Sequence, residues 1–508
     1  MFDFLTNPSF WIKTAQFVLS ISFLVVIHEL GHFICARLCG VRVEKFYMFF
    51  NPKFSLIRFK KFDGRWHVAL FAPNTTEGDE WSKHPETTEW GLGWLPFGGY
   101  CAISGMVDET HTSEQMAKTK AQPWEFRSKN VWQRLLIIAG GILVNFIAAL
   151  LIFGLIFFHW GETSLPLKNA HQGLYFSEVL TQEGFEQQDK IISIDGVQPQ
   201  VLGDIVQMLV IDGKRNVVVS RLSANAESDL SAQRSFSDSG RFLDTLQVSE
   251  NLGTNLLAAQ TEFARRERDH HRRDKQYTKR NYIPVGIYYP FVIASVQEGQ
   301  TGSLMGLTQG DSVVSVMGVS TPSAYEVQNE LKKHPCENIT VGYYRAGEYQ
   351  TAEAFMGDQC LLGVGTKPLI EFYEVQTVHY GFFESMKRGI EHGWETLAMY
   401  VKQFKLVFTK EGAQSLGGFG AIGSMFAGLW DWESFWYMTA FLSIILAFMN
   451  FLPIPALDGG YILFLLWEMI TGKQPSDKFL EKANSIGMWI LLALLIFANG
   501  NDILKIFF

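Results

Sequence analysis

Two histidines and a glutamate in the segment VVIHELGHF have the residue types and spacing of a hydrolytic metal site. His28 and His32 are four residues apart, so on a helix they share one face and are separated by about 6 Å along the axis. Two imidazole nitrogens placed in this way can bind one zinc ion. Glu29 follows His28 and can act as general base on a zinc-bound water. The pattern predicts a zinc site that performs hydrolysis, although a motif this short also occurs by chance.

A catalytic zinc site with two histidines needs a third protein ligand. Asp458 is the only acidic residue between Glu433 and Glu468, and it lies in the apolar stretch MNFLPIPALDGG. Pro453 and Pro455 forbid a continuous helix there. Non-helical backbone at membrane depth is tolerated where it is buried in protein or lines a cavity. We therefore expect a broken membrane span with Asp458 at the break. The alternatives are a proton relay or a polar helix contact for the histidines, and an ordinary turn for Asp-Gly-Gly.

The segments that carry these residues are strongly apolar. Hydrophobic residues make up 47% of the 508 residues and charged residues only 19%. Stretches of about 18 or more apolar residues predict membrane-spanning helices. The four predicted spans are residues 10–36, 135–160, 435–470 and 486–497, and the last is short at its apolar core. Ionisable groups within such a span are costly unless they are paired, coordinated or hydrated, which favours a metal site.

The distribution of basic residues predicts how the spans are oriented. Residues 37–134 carry fourteen Lys and Arg residues, so the positive-inside rule places this loop in the cytoplasm. Alternation then places the long loop of residues 161–431 outside, and Lys473, Lys478 and Lys482 agree with a cytoplasmic connection between the last two spans. Both termini are expected to be extracytoplasmic, with no cleavable signal peptide. The net charge of −8 says little about partners, and no basic, aromatic-interleaved segment suggests nucleic acid, so none is expected.

The long outer loop contains an internal repeat. GFEQQDKIISIDGV at residues 184–197 and GLTQGDSVVSVMGV at residues 306–319 share Gly, Gln, Asp, Ser and the final Gly-Val at the same spacing. Each copy predicts a turn, a strand, a turn and a strand, so two similar β-rich domains are expected. The pattern resembles the PDZ domain, which binds a peptide at the edge of its sheet. The first copy is expected to lack the short helix that usually precedes it. Two PDZ-shaped spacers that bind no peptide are the alternative.

HELGH on the first span and NFLPIPALDGG on a later span, with two PDZ-like domains between, resemble the site-2 protease family of intramembrane zinc metalloproteases. The resemblance covers nearly the whole chain in order. It implies that His28, His32 and Asp458 bind one Zn²⁺ per chain, and that Glu29 is the catalytic acid/base.

The same resemblance implies residues that hold the substrate. Asn450 and Pro455 belong to the family's NxxPxPxLDG motif, and Asn145 is the polar residue of GILVN, in which Ile142 replaces the family's usual Pro. Residues 94–105 (WLPFGGYCAISG) are similar to the family's membrane re-entrant β-hairpin, which could offer a strand edge to an unwound substrate. Helix–helix contact is the alternative for each Asn. The implied substrate-binding residues are Asn145, Asn450, Gly98, Gly99, Tyr100 and Pro455.

The predicted fold class is a polytopic α-helical membrane protein with four transmembrane helices, a re-entrant β-hairpin and two inserted extracytoplasmic PDZ-like domains. The expected divisions are a first membrane half (1–160), PDZ-like domains (161–289 and 290–370), an amphipathic membrane-surface segment (371–431, with its helix at 385–410) and a second membrane half (432–508). The resemblance implies cleavage of single-pass membrane proteins within the bilayer of the bacterial inner membrane. Trimmed anti-sigma factors of the sigma-E stress response and remnant signal peptides are the implied substrates, and the PDZ-like domains are expected to exclude untrimmed ones.

Two other functions use the same features. A membrane-anchored zinc peptidase that acts on soluble substrates would not need Asp458 at a broken span. A receptor or chaperone with a vestigial metal site would not need an intact Glu29. Cys336 and Cys360 lie in the predicted extracytoplasmic region, where a disulfide is permitted, and the sequence leaves open whether one forms.

Overall fold

The computed structural model describes residues 8–74, 79–96, 98–106, 121–222, 241–273, 282–357, 360–404 and 417–507. The described residues fall into two compact units. The first combines residues 8–161, 379–401 and 417–507, and the second combines residues 162–378 and 402–404. The first unit therefore contains the predicted spans, and the second contains the internal repeat.

The described helices are α1 (Pro8–Leu38), α2 (Val131–His159), α3 (Glu178–Gln182), α4 (Leu202–Val206), α5 (Leu252–Arg273), α6 (Thr301–Leu304), α7 (Ala324–Leu331), α8 (Phe382–Phe404), α9 (Phe419–Ser424), α10 (Trp432–Phe451), α11 (Asp458–Thr471) and α12 (Asp477–Phe507). The described strands are β1 (Val43–Met48), β2 (Phe54–Phe62), β3 (Arg65–Pro73), β4 (Glu89–Leu92), β5 (Tyr100–Ile103), β6 (Glu162–Ser164), β7 (Leu174–Phe176), β8 (Lys190–Ile194), β9 (Asn216–Leu222), β10 (Arg241–Gln247), β11 (Val285–Ile287), β12 (Phe291–Val296), β13 (Ser312–Val316), β14 (Val319–Ser320), β15 (Asn338–Arg345), β16 (Glu348–Phe355), β17 (Val364–Thr366) and β18 (Gln376–Val378).

Four helices in the described part of the chain are long and apolar enough to cross a membrane, which agrees with the predicted number. They are α1, α2, α10 and the part of α12 from Lys478 to Ile503. Asn130 begins α2 with a capping box, in which its side chain accepts the Gln133 N–H at 2.9 Å and the Gln133 side chain accepts the Asn130 N–H. The last helix is longer than predicted, because polar residues continue it on both sides of its apolar centre.

The third predicted span is broken where the two prolines lie, as expected. Helix α10 ends at Phe451 and α11 begins at Asp458, so the residues between them form a non-helical connection. Gly459 permits the tight return of the chain, since a Cβ there would lie 2.1 Å from the Leu452 carbonyl oxygen. Asn484 of α12 supports the break by accepting the Ala456 N–H at 3.3 Å. The break therefore places Asp458 in the first turn of a new helix.

The predicted amphipathic segment is helical as α8, while residues 405–410 lie outside the described residues. A Cβ on Gly389 would lie 2.3 Å from the backbone nitrogen of Gly154 in α2. His392 of α8 lies 3.1 Å from the hydroxyl of Tyr437 in α10. The helix therefore packs against two of the apolar helices of its own unit.

The β-sheet of the first unit corrects the predicted hairpin. Its strand order is β3-β2-β4-β1-β5, and β5 pairs antiparallel with β1, with Tyr47 opposite Tyr100. Strand β4 pairs with β1 in parallel and not with β5. Residues 94–105 therefore contribute one strand to a larger sheet and do not form a hairpin among the described residues. The strands β2, β3 and β4 lie between β5 and its partner in the chain, so local sequence could not reveal the pairing.

The internal repeat corresponds to two equivalent structures in the second unit. Asp189 precedes β8 and Asp311 begins the segment that forms β13, and each side chain is 1% exposed. Arg221 of β9 lies 2.9 Å from Asp189, and Arg345 of β15 lies 2.6 Å from Asp311. Each guanidinium also donates to the carbonyl oxygen of the glycine that opens its repeat, at 2.8 and 2.9 Å. The same buried ion pair therefore holds the turn in both copies.

Two hydrophobic cores support these sheets. One is built from residues between 170 and 287 with Tyr373, and the other from residues between 291 and 362. The expected lack of a short helix before the first copy is wrong: α3 precedes it, as α6 precedes the second copy, and Leu180 of α3 is buried in the first core. A single helical turn has too few residues to give a periodic sequence signal. No disulfide joins exposed Cys336 to buried Cys360 in the described residues.

Candidate active site

The two histidines of α1 lie where α1 and α2 approach each other closely. A Cβ on Gly31 of α1 would lie 2.3 Å from the carbonyl oxygen of Gly140 in α2. Small residues at such positions let the backbones of apolar helices come together. The imidazole rings of His28 and His32 are perpendicular, with centroids 4.8 Å apart and Nε2 atoms 3.2 Å apart. Both Nε2 atoms therefore converge on one point.

His32 is oriented by the backbone of α2. Its Nδ1 lies 3.0 Å from the Ile137 carbonyl oxygen, which can only accept, so Nδ1 carries the proton and Nε2 keeps its lone pair. Gly141 leaves the space that both imidazole rings occupy, since a Cβ there would lie 2.5 Å from His32 Nε2 and 2.6 Å from His28 Cε1. The sequence reasoning did not identify Gly31, Gly140 or Gly141. The sequence signal that could have identified them is the presence of glycines within two apolar spans, which indicates close packing of the two helices.

Asp458 completes the cluster. Its Oδ2 lies 3.2 Å from His28 Nε2 and 3.4 Å from His32 Nε2. Ligands bound to a tetrahedral zinc at about 2.0–2.1 Å are about 3.3 Å from one another. The three interatomic distances thus match those of a zinc ligand set.

The hydrogen bonding of Asp458 also fits a cation. Its Oδ2 is buried and accepts no hydrogen bond from the described residues, despite the two imidazoles beside it. A buried carboxylate oxygen without a donor is costly unless a cation binds it. Only His28, His32 and Asp458 form such a cluster in the described part of the chain. The donor set of two imidazoles and one carboxylate is one that zinc accepts.

Helix α11 is fixed to α2 by a buried ion pair. Arg134 Nη2 of α2 lies 2.5 Å from Glu468 Oε1 of α11, with side chains 10% and 14% exposed. Leu465 of α11 packs with Ile137 and Ile138 in the same hydrophobic cluster. These contacts orient the helix that begins at Asp458. Sequence reasoning also missed this pair, although each charge stands in an otherwise apolar stretch.

Glu29 lies beside β5, in a partly buried position. The Cys101 backbone N–H donates a hydrogen bond to its carboxylate. Gly99, which precedes this strand, lies close to α1, since a Cβ there would lie 3.1 Å from Val25 Cγ1. The strand that contains Tyr100 therefore runs past the general-base candidate and the helix turn before His28.

Of the other residues predicted to bind substrate, only some lie near the two histidines. The side chain of Asn145 is fully buried, and its Nδ2 lies 3.3 Å from His28 Nδ1. Asn450 lies half-buried in the last turn of α10, and Pro455 lies in the break, where its carbonyl oxygen abuts Gly487 of α12. Within the described residues, Asn450 and Pro455 lie outside the hydrogen-bonded cluster around the two histidines.

Comparisons with known proteins give the family to which this sequence is similar. The sequence pattern of Peptidase family M50 matches residues 16–73 and 80–494. The chain is 26% identical to the regulator of sigma E protease of Haemophilus influenzae over 98% of this chain and 100% of that protein. It is 24% identical to protease RseP of Yersinia pestis over 96% of this chain and 97% of that protein. It is 24% identical to a protein of Ralstonia nicotianae named as a candidate zinc metalloprotease, over 97% and 98% of the two chains.

The family match includes HELGH and LDGG, the two motifs whose side chains converge in the structure. The resemblance to site-2 proteases that the motifs indicated is thereby confirmed. This chain belongs to Peptidase family M50.

Proposed function

We propose that this chain is an intramembrane zinc endopeptidase that cleaves the transmembrane segments of single-pass membrane proteins. The observation that carries the proposal is the convergence of His28, His32 and Asp458 in a unit whose helices are long and apolar enough to cross a membrane. Family membership gives the peptidase class. Relatives named as zinc metalloproteases, together with the ligand distances, support one zinc ion per chain.

The chemistry divides between the metal and Glu29. Held by His28, His32 and Asp458, a zinc ion would lower the pKa of a water molecule and polarise the scissile carbonyl group. The Glu29 carboxylate would take a proton from the water that attacks the carbonyl carbon, and would deliver it to the amide nitrogen as the C–N bond breaks. The Cys101 N–H holds the carboxylate of Glu29 on the side of β5, where an extended substrate would lie.

A transmembrane substrate must be unwound before its carbonyl carbons are accessible. The freed backbone groups then need hydrogen-bonding partners, because the bilayer core offers none. We assign this role to Gly98, Gly99 and Tyr100, of which Gly99 lies beside α1. Asn450 and Pro455 would hold the same segment from the side of the break.

The second unit acts in this proposal as a filter. Its two repeat structures are PDZ-like domains on the extracytoplasmic side, and they exclude substrates whose outer part has not been trimmed. The domains could act as a filter either by binding peptides or by steric exclusion alone. Helix α8 would couple the PDZ-like domains to the membrane. Both termini of the chain would lie on the extracytoplasmic side. The substrates proposed are trimmed anti-sigma factors and remnant signal peptides in the bacterial inner membrane.

The test is cleavage of one purified single-pass membrane protein in detergent, intact and trimmed, with product masses. Wild type is compared with Glu29→Gln, which keeps the three ligands and removes the base. Wild type should cut within the apolar segment of the trimmed substrate, and Glu29→Gln should not cut although it binds one zinc.

Two results would contradict the proposal. Cuts only outside the apolar segment would indicate a membrane-anchored peptidase that acts on soluble regions. Equal cutting by Glu29→Gln would remove Glu29 from the mechanism. Equal cutting of intact and trimmed substrate would refute the filter while leaving the peptidase assignment intact.

A further inference from the structure

The amide of Asn145 lies against one of the metal-ligand candidates and has an unpaired oxygen. Its Nδ2 is 3.3 Å from His28 Nδ1, and its side chain is fully buried. Its Oδ1 is buried and has no hydrogen-bond partner among the described residues. Ser443 donates to the backbone carbonyl oxygen of Asn145 at 2.7 Å, so it fixes the main chain and leaves the amide unsatisfied.

The protonation of His28 decides which amide atom must face it. His28 Nε2 points at Asp458 Oδ2 and His32 Nε2, at 3.2 Å from each. A metal ligand needs a lone pair there, so the imidazole proton must be on Nδ1. An N–H on Nδ1 requires an acceptor, and an amide NH₂ group is only a donor.

A half-turn of the Asn145 amide about its terminal bond satisfies both groups at once. The rotation exchanges two atoms of nearly the same size, so it requires no change in packing. It brings Oδ1 to the position 3.3 Å from His28 Nδ1, where it accepts the imidazole N–H. The buried oxygen then has a donor, and His28 Nε2 is free to bind a cation.

Helix α2 thus supplies one acceptor for each histidine. The Ile137 carbonyl oxygen accepts from His32, and Asn145 lies two helical turns further along the same face, next to His28. Gly141 lies midway and leaves room for both rings. His28 lies near a later turn of α2 than His32 does, and the group next to its Nδ1 there is the Asn145 side-chain amide.

We propose that Asn145 is a positioning residue whose amide oxygen accepts the Nδ1 proton of His28 and so fixes this imidazole as a zinc ligand. The proposal rests on the proposed zinc site and deepens it. It assigns Asn145 to the metal centre and not to the substrate, which was the expectation from sequence.

The experiment measures zinc affinity of the full chain in detergent by competition with a chromophoric chelator, without substrate. Asn145→Leu keeps the side-chain size and removes the acceptor, and should weaken zinc binding by about 10- to 100-fold. Asn145→Asp keeps an acceptor at the same place and should stay within about threefold of wild type. Thr439→Ala, which removes a buried hydrogen bond to Ser20 at 3.0 Å in the same unit and does not touch Asn145, is the matched control and should leave the affinity unchanged. With cobalt in place of zinc, the visible spectrum of Asn145→Leu should differ from that of the wild type. The spectrum of Asn145→Asp should match that of the wild type.

The outcomes are distinguishable. An unchanged zinc affinity in Asn145→Leu with a raised KM for cleavage would make Asn145 a substrate contact and overturn the proposal. Equal loss of affinity in Asn145→Leu and Asn145→Asp would also overturn it. If Asn145→Leu does not fold, Asn145→Ala replaces it with the same expected loss. If wild type itself binds no zinc, the proposed function fails, whereas zinc binding that is identical in all variants refutes only the role of Asn145.

Discussion

Adding one methyl group at Gly141 should disrupt the metal site without changing any ligand. A Cβ there would lie 2.5 Å from His32 Nε2 and 2.6 Å from His28 Cε1. Ordinary van der Waals contact begins at 3.4 Å, so Gly141→Ala must displace the rings or separate α1 from α2 by about 0.9 Å. Metal–ligand distances tolerate about 0.2 Å. We therefore expect zinc affinity to fall by at least about tenfold, the lower end of the loss that follows when the groups that orient metal ligands are mutated.

The control is the same substitution elsewhere on α2. A Cβ on Gly154 would meet the flexible side chain of Met386, with its Cε at 2.6 Å, which can move aside and leave the Met386 Cα at 3.2 Å as the tightest fixed contact. Gly154→Ala should therefore keep zinc binding, whereas Gly141→Ala should lose it while circular dichroism shows both folded. Zinc binding by Gly141→Ala at the wild-type affinity would mean that the rings do not lie against α2, and the site geometry described above would be wrong.

Removing one partner of the Arg134–Glu468 pair leaves the other charge buried, so Arg134→Met should lower the free energy of unfolding by about 3 kcal/mol in denaturant titration. The double variant Arg134→Met with Glu468→Leu should recover part of that loss, and a double loss equal to the sum would show that the two charges do not interact. Burial alone would raise the pKa of Asp311, but the Arg345 guanidinium and the Thr308 N–H hold it below its usual value. The stability that this contributes is present above about pH 4 and is lost as the pH falls. Asp311→Asn should therefore remove this acid dependence from amide exchange in β13, and an unchanged acid dependence would exclude Asp311 as its source. Added zinc should raise the melting temperature of the wild type but not of His32→Ala, and an equal rise in both would place the ion elsewhere.

The spacing of chemically specific residues was the part of the structure that sequence could predict. HELGH places two ligands through helix geometry alone, and the two prolines before Asp458 require a break wherever the rest of the fold lies. The apolar stretches predict the spans in the same local way. These features depend on residues a few positions apart, which is why they could be inferred without any tertiary contact.

The supporting contacts were not predictable because they join distant segments. Strand β5 pairs with β1 although β2, β3 and β4 lie between them in the chain, and Arg134 of α2 meets Glu468 of α11, a helix near the other end of the sequence. The amide of Asn145 could be recognised as polar in an apolar span, but its partner His28 belongs to a different span. The short helix α3 was missed for a different reason, since one turn leaves no periodicity to detect.

The position of HELGH within an apolar helix has a physical explanation in α2. Ionisable side chains in such a helix need partners, and water cannot supply them in the bilayer core. The Ile137 carbonyl, the Asn145 amide and the space left by Gly141 compensate both histidines from a single neighbouring helix. The remaining orphan of the site is Asp458 Oδ2, which a cation shared with the histidines would satisfy. A bound metal ion would therefore satisfy the one carboxylate oxygen of the site that α2 does not reach, so the apolar surroundings favour the metal for a structural reason as well as a chemical one.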